Sequence, residues 1–502
     1  MFWAVALLLS TGCASCSSNS DNGGEEPQPT PPTPPAEESC DVEAYVTSEN
    51  LAYRFTKIDT RFASVSMSPS KIKLDPTETY QDIDGFGAAL TGSSCYNLMK
   101  MSAADRSRFL KETFDPETGM GFSFIRMHIG GSDFSMDEYT CCDKEGIEFF
   151  EIPQIEREGI FPVLREIMAI NPNLKIMGSP WSCPRWMKVN PNTMQAPYNS
   201  WTSGRLNPKY YADYAEYFVK WVQEMEAEGF PIFAITMQNE PLNHGNSMSL
   251  YMPWEDQLAF IKHLGPAFER EGIDTKILLF DHNYNYDNKA GQERYPLHIF
   301  ADPEASKYAD GSAWHSYGGN VSELDYINKM APDKSIYFTE ASIGTWIGDG
   351  TWEGVLKSCI LNDFEHNFLG VLSRNGSGVI MWNLMLDQEG KPFRPGGCAT
   401  CFGAVQINNG TYSYESLEYS SHYYDIAHCS KVVKPGAKRI KSSGYTANGL
   451  KYEAFLNADG SYAVLALNRS GQDISVAFQG PAKGFRFTIP ATSIVSLRWS
   501  EN

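Results

Sequence analysis

Short apolar runs bounded by Gly, Pro and polar residues recur between residues 83 and 386, and the periodicity between them changes to a helical one. The runs are Ile83–Leu90, Phe122–Gly130, Lys175–Ser182, Phe233–Pro241, Lys276–Asn283, Gly311–Tyr317, Ser335–Ser342 and Gly378–Leu386. Near-continuous apolar runs of strand length indicate strands buried on both faces. The intervening stretches, such as Tyr210–Glu228 and Glu255–Glu271, place apolar residues at i, i+3 and i+4, as one-sided helices do. Eight strands alternating with helices predict an α/β fold, a (β/α)8 TIM barrel over residues 81–425.

Past residue 425 the period becomes two. Leu450–Leu456, Tyr462–Asn468, Ile474–Phe478, Phe485–Ile489 and Ser493–Trp499 alternate, with turns at Ala458-Asp459-Gly460 and Ser470-Gly471. This predicts a β-sandwich over residues 426–502. Residues 41–80 are also strand-like, so the sandwich is expected to be built from both chain ends.

Seven of the eight barrel runs close on polar or aromatic residues: Arg126 and His128, Trp181, Asn239 and Glu240, Asp281 and His282, His315 and Tyr317, Glu340, then Trp382 and Asn383. Barrel active sites are assembled at the C-terminal ends of the strands. Glu240 and Glu340 end the fourth and seventh runs, three βα units apart, where strand ends face each other across the mouth. Two facing carboxyl groups suit glycoside hydrolysis, one donating a proton and the other attacking the anomeric carbon. His128 and His282 read as structural, and no metal or cofactor is expected.

Composition narrows the partners. With 41 Lys and Arg against 61 Asp and Glu, the net charge of −20 repels phosphate backbones, so nucleic acid is excluded as a ligand. Aromatic residues make up 13%, which suits planar sugar faces as well as large cores. Phe2–Leu9 is apolar, too short for a bilayer span and followed by small residues, as in an export signal. Cys13, in Ser-Thr-Gly-Cys, or Cys16 is the expected lipidation site, although no basic residue precedes the run and Ser10 departs from the usual Leu. Residues 1–16 are thus expected to be a lipoprotein signal region. Residues 17–40, rich in Pro and acidic residues, are expected to be an unfolded tether. An exported outer-membrane lipoprotein facing the cell surface or the periplasm follows, monomeric and touching membrane only through its lipid. Nine further cysteines are odd in number. Cys398 and Cys401 have CxxC spacing without a second pair, which leaves a local disulfide or buried thiols rather than zinc.

Several segments together resemble glycoside hydrolase family 30. They are Gly85–Thr91 (GFGAALT), Ser179–Trp186 (SPWSCPRW), Asn239-Glu240-Pro241, Phe338–Ser342 (FTEAS), Trp382-Asn383-Leu384 and Tyr424–Lys431 (YDIAHCSK). The resemblance runs from about Asp84 to the C-terminus. It implies net retention through a glycosyl-enzyme, with Glu240 as acid/base and Glu340 as nucleophile. It further implies that Asn239 binds the sugar 2-hydroxyl, Arg126 and Tyr317 hold Glu340, and Trp181, His315 and Trp382 line the sugar pocket. In the free protein Glu340 is then expected to be ionised and Glu240 protonated by mutual repulsion. Glucosylceramidase members carry Asp where this chain has Gly92, and Trp where it has Ser316. With the short polar loop Leu242–Trp254, these departures make the resemblance closest to the bacterial endo-β-1,6-glucanase subfamily. The substrate expected is a pustulan-type β-1,6-glucan. The alternatives are an exo-acting β-glucosidase or glucosylceramidase-like enzyme, or a surface lipoprotein that binds glycan without cutting it.

Overall fold

The computed structural model describes residues 40–501. Cys13, Cys16, the signal region and all but the last residue of the tether lie outside the described residues. Eight parallel strands form one sheet: Gly85–Ala88, Phe124–His128, Lys175–Ser179, Ala234–Thr236, Lys276–Asn283, Gly311–His315, Ser335–Glu340 and Gly376–Met381. The last pairs with the first, and Ala89 bridges Arg126 in parallel, so the sheet closes into a (β/α)8 barrel. Each of the eight apolar runs overlaps a strand, the eighth strand starting at Gly376, ahead of its run. Several strands stop short of their runs. The fourth strand ends at Thr236 rather than near Pro241, and the eighth at Met381 rather than Leu386.

The barrel interior is packed by Phe124, Met177, Ala234, Leu278, Ala313, Tyr337 and Ile380, all buried. Tyr337 Oη donates to Asp84 Oδ2 at 2.6 Å, and Asp84 also pairs with Lys175, so the interior is a packed core rather than a pore. The amphipathic stretches become helices at Tyr211–Ala227 and Trp254–Glu271. The latter ends on Gly272, whose φ of 67° is the left-handed geometry a helix C-terminus requires.

The other large sheet has nine strands. Its order is Thr56–Lys57, Val42–Ser48, Ser493–Trp499, Tyr462–Asn468, Leu450–Leu456, Lys438–Gly444, Lys71–Asp82, Ile474–Gln479 and Gly484–Ile489. Both chain ends contribute, because Val42–Ser48 pairs with Ser493–Trp499 along its whole length. The helix Ser421–Val432 runs through residue 425, so the change from barrel to sandwich falls after this helix rather than at 425. Burial of every residue but Tyr424 and Lys431 along it explains why its sequence shows no clean amphipathic stripe. No helix among the described residues is long and apolar enough to cross a membrane.

Candidate active site

Glu340 is the last residue of the seventh strand and stands in register with His315 on the sixth. Glu240 is reached differently. After Thr236 the chain leaves the strand but stays between its neighbours, with Asn239 N donating to Pro180 O and Glu240 N to Asp281 O. Glu240 then adopts φ 45°, a left-handed conformation rare for a residue with a side chain, and this turns its carboxylate into the mouth. One oxygen of Glu240, one of Glu340 and one ring nitrogen of His315 lie within 4.8 Å of one another. Among the described residues these donors stand close enough together to hold a cation. The guanidinium of Arg126 and the imidazole of His315 bring positive charge to the same place.

Arg126 is fully buried. It donates from Nη1 to Glu340 Oε2 at 2.7 Å and from Nη2 to Asp281 Oδ2 at 2.8 Å and Asn239 Oδ1 at 2.5 Å. Its guanidinium lies 4.9 Å from the Trp181 ring and 5.6 Å from that of Trp382, and the two rings stack at 5.3 Å. Tyr317 Oη donates to Glu340 Oε1 at 3.0 Å. Both carboxylate oxygens of Glu340 are therefore held.

Asp281 anchors the site from beneath, and its importance is not visible in the sequence. Its Oδ2 accepts from Ser179 Oγ and Thr236 Oγ1, each at 2.7 Å, as well as from Arg126. Its Oδ1 accepts from Thr339 Oγ1 at 2.7 Å and faces His315 Nε2 at 3.0 Å. Burial opposes its charge, but Arg126 and His315 hold its carboxyl well below the usual range. Residues 280 and 281 both have positive φ, and the pairing with the sixth strand shifts there, which aims Asp281 inward.

His315 thus bridges two carboxylates, with Nδ1 3.3 Å from Glu240 Oε1 and Nε2 beside Asp281. Burial works against the imidazolium, yet Glu340, Asp281 and Glu240 raise its pKa to about 9. Glu240, though buried, is lowered to about 2 by His282 and by the bonded His315, with Asn243 Nδ2 donating to it at 2.8 Å. Burial pushes Glu340 up, and His315 and Arg126 only partly oppose this. The Glu240 shift thus runs opposite to the one expected, downward rather than upward, and His315 is the group beside it whose cationic form the neighbouring carboxylates favour.

The cavity over these groups measures about 450 Å³. Glu240, Glu340, Tyr317 and Trp382 line it, whereas Arg126, Asn239, Trp181 and His315 form the layer behind. The structure brings all eight sequence-nominated residues together. Two more residues belong to the wall. His282, read as structural, lines the cavity with Nε2 3.4 Å from Asp287 Oδ1, and burial lowers its pKa. Asp133 also lines it; its Oδ1 has no hydrogen-bond partner, and burial and the two glutamates raise its pKa to about 8. His128 is structural, with Nε2 accepting from Gly92 N at 3.0 Å. Cys398 and Cys401 form a disulfide in the cavity wall, which settles the CxxC spacing.

A (β/α)8 barrel with two facing carboxylates at its C-terminal mouth defines the class as glycoside hydrolase. The chain belongs to glycosyl hydrolase family 30, whose TIM-barrel domain matches residues 83–433 and whose β-sandwich domain matches residues 436–497. It is similar to the solved structure of the endo-β1,6-glucanase BT3312, with a TM-score of 0.88 and 49% identity over 92% of this chain and 99% of that one. The endo-1,6-β-D-glucanase neg1 of Aspergillus fumigatus is 34% identical over 82% of this chain and 84% of its own. The mouse lysosomal acid glucosylceramidase is 26% identical over 85% of this chain and 83% of its own.

Proposed function

We propose that this glycoside hydrolase is a retaining endo-β-1,6-glucanase. The observation that carries the mechanism is the approach of the Glu240 and Glu340 oxygens to within 4.8 Å. Retention needs carboxyl groups roughly 5–5.5 Å apart, whereas an inverting pair at roughly 6.5–9.5 Å leaves room for a water. Glu340 attacks the anomeric carbon while Glu240 delivers a proton to the departing oxygen; Glu240 then activates the water that releases the sugar. The imidazolium of His315, bonded to Glu240, supplies that proton and takes it back. Asn239 spends its Oδ1 on Arg126, which leaves its Nδ2 free to donate to the sugar 2-hydroxyl.

The β-1,6 linkage draws support from the relatives of that activity and from Gly92 and Ser316 at positions where glucosylceramidases differ. Digestion of pustulan tests it. Short β-1,6-linked oligomers, released with retained anomeric configuration and without attack on β-1,4-xylan, are expected. Glucose as the sole early product would establish the exo-acting alternative, and no cleavage of any β-glucan the binding protein. We also propose an exported, monomeric lipoprotein anchored through Cys13 or Cys16. Fatty-acid labelling that survives substitution of both cysteines would refute the anchor.

A further inference from the structure

A second cavity, of about 380 Å³, adjoins the catalytic one and shares Tyr317, Ser342 and Trp346 with it. A third, of about 410 Å³, shares Asn320, Val321 and His366 with the second and reaches Lys451 and Tyr452 of the sandwich. The three form a series from the glutamate pair to the junction between barrel and sandwich.

The middle cavity has the chemistry of a sugar site. Trp346, 53% exposed, lines both the first and the second cavity. It follows Gly344, where a Cβ would collide with both the Trp346 ring and Thr400 O, so the glycine lets the indole fold back over its own strand. Asn362, His366 and Asn367 line the same cavity. His366 and Asn367 lie on a single π-helical segment, Phe364–Leu369, a distortion often found at functional sites. Its Glu365 is gripped by Lys451 and Arg469 of the sandwich. Tyr284 also lines this cavity; it is 4% exposed and its Oη has no hydrogen-bond partner. A buried hydroxyl without a partner is costly unless a ligand completes it.

We propose that this cavity series is a binding groove for further glucosyl units of the chain being cut, with Trp346 as stacking platform and Tyr284 and Asn367 bonding sugar hydroxyls. An indole and amides in the middle cavity suit an uncharged, hydroxyl-rich polysaccharide, as do the side chains of both signs that balance along the third, Glu365 and Glu453 against Arg374 and Lys451. The groove gives the barrel a hold on units remote from the cleaved bond. The inference rests on the β-glucanase reading and extends it to the units beyond the scissile one.

The test is kcat/KM for β-1,6-linked glucose oligomers, from the shortest one cleaved upward. In the wild type it should climb with length. Tyr284→Phe, which removes a hydroxyl that bonds to nothing in the fold, should lower the value for the longest oligomer about fivefold relative to the shortest, and Trp346→Ala about tenfold. Cleavage without a length dependence, or variants that depress all lengths equally, would overturn the groove while leaving the glucanase reading intact. If the wild type cleaves no β-1,6-glucan, both fall together.

Discussion

In the proposed mechanism His315 supplies the proton that Glu240 delivers, which makes its ionisation the measurable quantity at the residue scale. Its pKa of about 9 keeps it cationic at neutral pH. Raising the pH through that value removes the proton that Glu240 must deliver, so kcat/KM on glucan should fall on a basic limb near pH 9. Lowering the pH protonates Glu340, the nucleophile of the proposed mechanism. Because Glu340 is raised, the acid limb should lie above the usual glutamate range. His315→Gln removes the cation that holds Glu240 down, so Glu240 itself would titrate and the basic limb should move down by about one pH unit or more. A pH–rate profile of that variant with an unmoved basic limb would show that His315 is not the proton source. The two glutamates separate by rescue chemistry. Glu340→Ala should abolish turnover of every substrate, since nothing replaces the attacking carboxylate. Glu240→Ala should lose about 10²–10⁴-fold on glucan but far less on a dinitrophenyl β-glycoside, whose leaving group needs no proton. Azide should restore its second step as a β-glycosyl azide. An α-glycosyl azide formed by Glu340→Ala would confirm Glu340 as nucleophile; one formed by Glu240→Ala would exchange the two roles.

Among the elements, the segment after the eighth barrel strand shapes the pocket most directly. Cys401–Phe402 pairs with Ile343–Gly344, just beyond Glu340, and the Cys398–Cys401 disulfide lies at the turn that leads into this pairing. The same segment sends Arg394 N to Asp133 O at 2.7 Å and an Arg394 guanidinium nitrogen to 3.4 Å from Glu138, which fastens the Asp133 wall. Replacing both cysteines with serine opens only a four-residue ring, so the stability loss should stay at about 2 kcal/mol or below. The larger effect should be a several-fold rise in KM for glucan with kcat within about twofold, because the bridge shapes a wall and touches neither glutamate. A kcat that collapses while KM holds would place the disulfide in the chemistry instead. The barrel itself was legible from the chain because parallel strands buried on both faces write themselves as apolar runs, and Lys276–Asn283 coincides with its run residue for residue. Glu240 was legible as a candidate but not as a turn. The apolar pattern continues through Met237 after the ladder has ended, and only the backbone shows the positive φ. Asp281 was visible as a strand-end residue but without a role, and Asp133 was not singled out, because their roles come from convergence. Asp281 gathers Arg126, Ser179, Thr236, His315 and Thr339 from five different strands, and no spacing along the sequence encodes that meeting.

On the scale of the molecule, both chain ends and the helix that closes the barrel meet at one histidine. His428 lies fully buried on Ser421–Val432, with Nδ1 2.5 Å from Ser496 Oγ and Nε2 2.7 Å from Thr47 Oγ1. It ties the barrel's last helix to the first and last long strands of the other sheet, which are themselves paired. Burial lowers its pKa to about 3, so it stays neutral in the fold while the unfolded chain protonates near pH 6.5. The unfolded state therefore binds the extra proton. The stability that His428 contributes is complete above about pH 6.5 and is lost progressively as the pH falls toward 3. His128, lowered to about 4 by burial, adds a second site of the same sign. His428→Gln offers an amide that can still bond Ser496 and Thr47 but does not titrate. At pH 7.5 it should cost about 1–2 kcal/mol through imperfect bonding. Between pH 6.5 and 4 its stability should fall less steeply than that of the wild type, by close to one proton in the linkage slope. Urea midpoints across that range measure both numbers. The carboxylates common to the two proteins cancel in the difference, so parallel slopes would mean that His428 is already protonated in the fold and donates from both ring nitrogens to Ser496 and Thr47.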